Sequence, residues 1–154
     1  MLLLLKNLVF TLVVPGTVAI YLPLLIVRGL SPDSGIWRLI SLVFFLVGGS
    51  TYTWCVWDFA VFGRGTPAPI DAPKKLVVRG LYQYTRNPMY LGVLTIILGW
   101  AVLYKAPRLV LYALCVGLSF QCFIVFYEEP HLQRAFGSSY EEYRARVRRW
   151  LPRW

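Results

Sequence analysis

The 154-residue sequence has few charged residues and few side chains that bind metals. Charged residues make up 15% of it and apolar residues 58%, with a mean hydropathy of +0.59. Soluble domains are not this apolar. The single histidine excludes a multi-histidine metal site, and the three cysteines lack CxxC spacing and fall in apolar runs. We therefore expect a membrane protein with no metal centre, in which the cysteines are small buried hydrophobic residues.

Four apolar runs are long enough to cross a hydrocarbon core of roughly 30 Å, which takes about 20 helical residues. They cover about 2–27, 36–62, 88–104 and 109–127. The first run lacks a short Ala-x-Ala site, so we interpret it as a retained span rather than a cleaved signal peptide. The spans leave no room for a Rossmann sheet or another soluble catalytic domain. The predicted fold is all-α: one polytopic membrane domain, residues 1–154, with its chemistry in loops and span ends.

The sixteen basic residues are distributed unevenly between the two faces that four crossings define. Twelve belong to the face of the termini and the loop 63–87: Lys6, Arg64, Lys74, Lys75, Arg79, Arg86, Arg134, Arg144, Arg146, Arg148, Arg149 and Arg153. The opposite face has Arg28, Arg38, Lys105 and Arg108. By the positive-inside rule, the face with twelve is cytoplasmic. Because the charges flank spans beside Trp and Tyr, they indicate a membrane interface rather than a nucleic-acid partner.

The loop 63–87 and the helix after it carry the first functional signal. Long ordered loops in small proteins are often functional. The loop ends at Asn87, which we expect to cap the next helix, and Pro88 suits the first helical position. The helix start, with Arg86 beside it, is predicted to anchor an anionic group such as a carboxylate.

The residues after the fourth span form the C-terminal amphipathic segment, 128–154. Ser138 with Glu141 three residues later predicts a capping box. Tyr140, Tyr143, Val147 and Trp150 recur at helical spacing, opposed by four arginines. This pattern predicts an interfacial helix lying on anionic lipid. Substrate binding by the arginines is the alternative.

Two adjacent glutamates, Glu128 and Glu129, lie at the end of the fourth span. A charge near hydrocarbon costs about 2.5 kcal/mol or more, so it indicates a partner or a function. The alternative is that the pair solvates the helix end, with Arg86 as a partner. Asp58, near the end of the second span, is a weaker candidate for a functional charge, because it can pair with Arg64. His131 we interpret as an exposed or interfacial histidine.

The stretches 79–92, 127–132 and 136–143 together resemble the integral-membrane methyltransferases, a superfamily that includes isoprenylcysteine carboxyl methyltransferases and phospholipid N-methyltransferases. The resemblance covers roughly residues 63–152. It implies a cytoplasm-facing pocket for S-adenosylmethionine (SAM), formed by the end of the loop, the start of the third span and the acidic end of the fourth. It implies SAM as the cofactor, a membrane lipid or lipidated molecule as the acceptor, and no nucleic acid.

Carried over by position, the family's motifs assign individual residues. The resemblance implies cofactor contacts at Lys74, Lys75, Leu76, Val77, Tyr82, Asn87, Pro88, Met89, Tyr90 and Glu128. We assign catalytic roles to Glu129, as the base that deprotonates an amine acceptor, and to Arg86. A glycine motif of the phospholipid branch has its nearest match at Gly48, followed by Gly49, with close helix packing as the rival interpretation.

The motifs resemble two branches of the superfamily, which differ in the molecule that accepts the methyl group. The segments 87–90 and 127–130 look like the phospholipid branch, whereas 136–143 and Pro152 look like the carboxyl branch. The arginine that carboxyl methyltransferases place before the glutamate falls on Ile124. The prediction is methyl transfer to a lipidic acceptor of the isoprenylcysteine carboxyl type, with phospholipid N-methylation as the alternative. A non-catalytic lipid-binding protein is the alternative from another class.

Overall fold

The computed structural model describes the backbone of residues 2–63 and 75–150, and the side chains from residue 5 onward within those ranges. The helices are α1 (Leu2–Gly16), α2 (Leu22–Ile26), α3 (Ile36–Asp58), α4 (Pro88–Leu103), α5 (Pro107–Phe123), α6 (Glu129–Phe136) and α7 (Ser138–Arg146). Three π-helical turns, Thr17–Tyr21, Phe59–Gly63 and Ile124–Glu128, continue α1, α3 and α5. A 3₁₀ turn, Gly80–Gln83, precedes α4. The described ranges contain no strand, so the all-α prediction is confirmed.

Three helical segments are long and apolar enough to cross a membrane: Leu5–Ile26, Ile36–Gly63 and Pro107–Phe136. The fourth apolar helix, α4, has 16 residues and at 1.5 Å per residue is about 24 Å long. It is also enclosed, because Val93, Ile97 and Ala101 are buried along it. The outer faces of α1, α3 and α5 expose large apolar side chains, as a lipid-facing surface requires. The chain is a multi-pass membrane protein in which α4 forms the centre of the bundle.

Helices α3 and α4 touch backbone to backbone at two glycines. A Cβ added at Gly48 would lie 2.7 Å from the carbonyl oxygen of Gly92, and one added at Gly92 would lie 3.0 Å from that of Gly48. Gly49, in contrast, has no neighbour within 4 Å of such a Cβ. Small residues allow this close approach between membrane helices. Close packing is thus the role that the structure gives Gly48.

The irregular stretch between α1 and α2 is stabilised by side chains from two other helices. Pro15 lies inside α1 and the π turn follows directly. Within that turn, the carbonyl of Val18 accepts a hydrogen bond from Tyr112 Oη, and the carbonyl of Ala19 accepts one from Trp100 Nε1, each at 2.9 Å. In hydrocarbon, backbone groups without helical partners must be satisfied by protein. These two bonds therefore fix the first span against α4 and α5.

The two ends of the bundle can be identified from their loop contacts. At one end, Asp33 Oδ2 forms an ion pair with Lys105 Nζ, and the Asp33 amide donates to the carbonyl of Leu103. This ion pair lowers the pKa of Asp33. The end therefore joins the α2–α3 connection to the tight turn between α4 and α5. The loop before α4 and the C-terminal segment meet at the other end, where the Arg86 amide donates to the carbonyl of Arg148 and Thr85 Oγ1 donates to that of Arg149.

Two predicted caps are wrong. The side chain of Asn87 does not cap α4; its Nδ2 donates to the carbonyl of Arg149 at 3.1 Å instead. Ser138 begins α7 without capping it, and Gly137, at φ +51°, is the N-cap residue. The Asn87 side chain is used for a tertiary hydrogen bond instead of the cap. At α7, Gly137 in the left-handed region makes the sharp turn that the predicted capping box of Ser138 and Glu141 was expected to stabilise.

The prediction of an amphipathic helix through residue 150 is also wrong. Helix α7 ends at Arg146, because Val147 is extended. Tyr140 and Tyr143 are buried against protein rather than facing lipid. The expectation that all three cysteines are buried is wrong for two of them. Cys55 is buried, but Cys115 and Cys122 lie on the exposed apolar side of the α5 segment.

The contact between α3 and α4 can be tested by adding single methyl groups. Gly48→Ala would place its Cβ against backbone that cannot rotate away, which costs about 1–3 kcal/mol. We expect its thermal unfolding midpoint in detergent to fall by roughly 3–10 °C. Gly49→Ala gains the same helix propensity in open space and should leave the midpoint unchanged. Equal midpoints for the two variants would contradict close packing at Gly48.

Candidate functional site

A cleft opens at the end of the bundle where the loop, the start of α4 and the C-terminal helices meet. Its walls come from the π turn after α3, from residues 76–90, from the end of α5 and from α6 and α7. The lining residues are Phe59, Leu76, Val77, Tyr82, Arg86, Tyr90, Phe123, Tyr127, Glu128, His131, Leu132 and Tyr143. Aromatic residues thus surround one carboxylate and one guanidinium.

Glu128 is held by the first turn of α4. Tyr90 Oη donates a hydrogen bond to Glu128 Oε2 at 2.9 Å, and the Tyr90 ring packs on Phe120 with centroids 4.5 Å apart. Glu128 is the last residue of the π turn after α5. π turns shift the residues that follow them around the helix and are frequent at functional sites. Within the part of the chain that the structure describes, this leaves Glu128 Oε1 able to accept a hydrogen bond from a ligand in the cleft.

Two buried tyrosines fix the loop that forms one wall. Tyr143 Oη donates to the carbonyl of Tyr82 at 2.7 Å, and the Tyr82 ring packs edge-on against Phe59 with centroids 5.5 Å apart. Burial raises the pKa of both Tyr82 and Tyr143. Both phenols therefore stay protonated and neutral across the physiological range, and Tyr143 remains a donor.

Asp58 supports the same loop from beneath. It is 2% exposed, and its Oδ1 lies 3.6 Å from Arg79 Nε. Gly80 has φ +57°, and a Cβ there would lie 2.5 Å from Asp58 Oδ2, so the carboxylate is packed against the turn. Its observed partner is Arg79, whereas the expected partner, Arg64, lies outside the described residues. Asp58 does not line the cleft.

Glu129 lies beside the cleft, between two arginines. Its Oε1 is 3.1 Å from Arg86 Nη1 and 2.9 Å from Arg149 Nε, and its Oε2 is 2.9 Å from Arg149 Nη2. The hydrogen bond raises the pKa of Arg149. Planar, two-point pairing of this kind is among the stronger charge-assisted contacts. Both oxygens of Glu129 are thus engaged, and pairing with Arg86, the alternative raised from the sequence, is present.

Arg86 has one unsatisfied donor. Its side chain is 11% exposed, its Nη1 contacts Glu129 and Tyr140 Oη, and its Nε has no hydrogen-bond partner in the part of the chain that the structure describes. A buried N–H without a partner is costly. Because Arg86 also lines the cleft, this donor is suited to an anionic ligand there.

The structure brings together most residues that the sequence nominates. Leu76, Val77, Tyr82, Arg86, Tyr90 and Glu128 line the cleft. Asn87 and Met89 line a small recess that adjoins it, and Pro88 is buried at the start of α4. Lys75 is exposed at the edge of the loop, and Lys74 lies outside the described residues. Glu129 supports Arg86 from outside the cleft.

Several lining residues were missed from the sequence. Phe123, Tyr127 and His131 stack in succession along the helix that leads from α5 into α6, with centroids 5.0 and 6.2 Å apart. Their spacing of four residues was a readable signal of a shared face. The contact of Tyr143 with the loop could not be predicted from local sequence, because Tyr143 and Tyr82 are 61 positions apart.

An apolar groove adjoins the cleft on the side of α1. It runs between α1, α4 and α5 and is lined by Phe10, Val14, Pro15, Val18, Tyr52, Met89, Tyr90, Val93, Phe120 and Phe123. Tyr90 and Phe123 line both the groove and the cleft. A cleft that contains a carboxylate and a guanidinium therefore meets an apolar groove at these two side chains.

These features define a helical membrane protein with an aromatic cleft at one end of its bundle that holds two charged side chains, and sequence comparison identifies the family. Residues 37–139 match the phospholipid methyltransferase family. The chain belongs to this family, which confirms the resemblance to the integral-membrane methyltransferases.

A curated relative gives a similar result over a shorter stretch. Over 70 residues, 46% of this chain, the sequence is 33% identical to a phosphatidylethanolamine N-methyltransferase of Yarrowia lipolytica. The match covers 7% of that relative, so the chain spans a small part of it. No solved structure gives a significant match.

The hydrogen bond from Tyr143 to the loop can be tested directly. Tyr143→Phe removes one buried bond worth about 1 kcal/mol and should speed amide hydrogen exchange in residues 80–85 by roughly fivefold. Tyr84→Phe changes an exposed tyrosine of the same loop and serves as the control. Unchanged exchange in Tyr143→Phe would show that the loop is held by other contacts.

Proposed function

We propose that this protein is a SAM-dependent methyltransferase whose acceptor is a membrane phospholipid amine. The observation that carries the proposal is the junction at Tyr90 and Phe123, where a charged cleft meets an apolar groove. Membership of the phospholipid methyltransferase family supports the same reaction. The hypothesis of an isoprenylcysteine carboxyl acceptor has less support. The arginine of that branch falls on Ile124, an apolar residue that is 1% exposed.

The residues of the cleft fit the cofactor. SAM supplies an electrophilic methyl group on a sulfonium, and aromatic faces such as those of Tyr82 and Tyr127 favour a cation of this kind. Glu128 can accept hydrogen bonds from amino or hydroxyl groups, and Arg86 Nε can donate to a carboxylate. The fit rests on a buried donor without a partner among the described residues, Arg86 Nε, and on the partly buried carboxylate of Glu128 in the same cleft.

The groove fits the acyl part of an acceptor. Its lining residues are apolar apart from the hydroxyl groups of Tyr52 and Tyr90. An acyl chain lying there would bring its headgroup to Tyr90, at the cleft. Alignment of acceptor and methyl donor, with exclusion of water, is the protein's main contribution to a transfer of this type.

Deprotonation of an amine acceptor needs a proton acceptor near the cleft. Glu129 was assigned this role from the sequence, but both its oxygens already accept hydrogen bonds from arginines. Glu128 lines the cleft, and within the described residues it accepts one hydrogen bond, from Tyr90 to Oε2. We therefore propose Glu129 as the residue that holds Arg86, and Glu128 as the carboxylate that faces the ligands.

The cleft is proposed to face the cytoplasm. Contacts within the described residues put the basic loop and the C-terminal segment at one end, and Arg28, Arg38, Lys105 and Arg108 flank the connections at the other. The positive-inside rule then assigns the cleft end to the cytoplasmic side. Accessibility of a cysteine introduced at exposed Glu142 to an impermeant thiol reagent, in sealed vesicles of known orientation, would test this.

Glu128 can be tested by an isosteric change. Glu128→Gln removes the charge that Tyr90 holds in the cleft, and we expect SAM affinity in detergent to fall at least tenfold by calorimetric titration. Glu142→Gln alters an exposed glutamate of α7 and should bind SAM like the unmodified protein. Retained SAM affinity in a folded Glu128→Gln protein would contradict the site.

The groove can be blocked without touching the cleft. Val14→Trp should fill the groove and raise KM for the lipid acceptor several-fold. SAM affinity should stay unchanged, because the acyl chain is proposed to lie in the groove and the cofactor in the cleft. Val13→Trp adds the same bulk one residue away, at an exposed position of α1 that does not line the groove. Equal KM values for the two variants would exclude this groove as the acceptor site.

The acceptor class can be determined with labelled cofactor. Purified protein, methyl-labelled SAM and phosphatidylethanolamine vesicles should give label in the lipid that survives mild base, because an N-methyl bond is not hydrolysed there. Base-labile label in membrane extracts would instead indicate a methyl ester and the carboxyl branch. Absence of transfer to any lipid, with no saturable heat on SAM titration, would favour a non-catalytic lipid-binding protein.

A further inference from the structure

The segment after α7 crosses the cleft end and is fastened to the loop that precedes α4. The carbonyl of Arg148 accepts a hydrogen bond from the Arg86 amide, and the carbonyl of Arg149 accepts from both Thr85 Oγ1 and Asn87 Nδ2, at 3.0 to 3.1 Å. Trp150 Nε1 donates to Gln121 Oε1 at 2.8 Å. All of these bonds use the backbone or Trp150, so they do not require the guanidinium of Arg149.

The Arg149 guanidinium makes a different contact, with Glu129. It donates two hydrogen bonds, one to each carboxylate oxygen, at 2.9 Å. Glu129 also contacts Arg86, and these two side chains are 12% and 11% exposed. Three partly buried charges therefore form a triad, Arg86, Glu129 and Arg149, with a net charge of +1.

The charge balance of this triad bears on the cleft. With Arg86 and Glu129 alone, the pair would be neutral, and the carboxylate would compete with any anion for Arg86. Arg149 occupies both oxygens of Glu129, and the Nε of Arg86 stays unpaired. In a site of low effective dielectric constant, one compensating charge changes the attraction for an anion appreciably.

We infer that Arg149 is a positioning residue that neutralises Glu129 and so leaves the charge of Arg86 free to bind an anionic group in the cleft. This inference rests on the proposed function and gives Arg149 a role other than the direct substrate binding that the sequence offered as an alternative. The anionic group is a carboxylate or a phosphate: SAM carries the first and a phospholipid acceptor the second. Arg149 acts through Glu129 and touches neither ligand.

Arg149→Gln removes the compensating charge while its backbone carbonyl keeps Thr85 and Asn87. We expect anion binding to weaken about tenfold. Arg149→Lys keeps the charge without the two-point fork and should retain affinity within about threefold. Arg148→Gln removes an equal charge from an exposed neighbour and should bind like the unmodified protein.

The double variant Glu129→Gln/Arg149→Gln separates charge balance from simple bracing. Removing both charges returns the triad to +1, so its affinity should recover above that of Arg149→Gln. A bracing role predicts that the double variant binds no better than Arg149→Gln, and that result would overturn the inference. Monodisperse elution and the thermal midpoint establish that each variant is folded.

Two ligand arms identify the anionic group. Loss of affinity for SAM, but not for decarboxylated SAM, in Arg149→Gln would assign the cofactor carboxylate. Unchanged SAM affinity with a raised KM for phosphatidylethanolamine in mixed micelles would assign the lipid phosphate. Unchanged values in both arms would overturn the inference while leaving the proposed function intact. An unmodified protein that neither binds SAM nor transfers methyl would refute both.

Discussion

Glu129 connects three parts of the chain that are distant in sequence, and the cleft depends on that connection. It begins α6, contacts Arg86 at the end of the loop, and contacts Arg149 in the C-terminal segment. A carboxylate that is only 12% exposed requires positively charged partners, because a buried charge without one is strongly destabilising. The same contacts fix where Arg86 can lie, and therefore the shape and charge of one wall of the cleft.

The rest of the bundle supplies the rigid support that this polar end requires. Gly48 and Gly92 bring α3 and α4 into backbone contact, which sets the position of the first turn of α4 and of Tyr90. The π turn after α3 begins at Phe59 and the one after α5 ends at Glu128, and both residues line the cleft. Irregular backbone in a membrane protein is tolerated where it is satisfied or lines a cavity, so these turns coincide with the functional end of the bundle.

Local patterns in the sequence predicted the helices, and together with the family resemblance they predicted about half of the residues that line the cleft. Apolar runs locate the spans because hydrocarbon imposes their length, and Tyr90 and Glu128 are recognisable because they adjoin span ends. The role of Arg149 and the burial of Tyr143 were not predictable, since each contact joins residues 20 or more positions apart. For the same reason Asn87 was misread: its local capping signal was real, but a distant carbonyl takes the donor. Helical periodicity likewise marked Tyr140 as apolar without revealing that its partner is protein rather than lipid.

Under the proposed function, the division between cleft and groove determines where acceptor selectivity can arise. The groove is almost wholly apolar, so it can measure the length and bulk of a chain but contributes little to distinguishing one headgroup from another. Discrimination between headgroups must then come from polar side chains that line the cleft. These include Glu128 and Arg86, together with His131, which follows Phe123 and Tyr127 in the row of stacked rings. His131 is the one histidine of the sequence and stacks on Tyr127 with its ring nearly parallel. Among relatives that share the helical frame, substitutions at these few cleft positions would change the acceptor without altering the bundle.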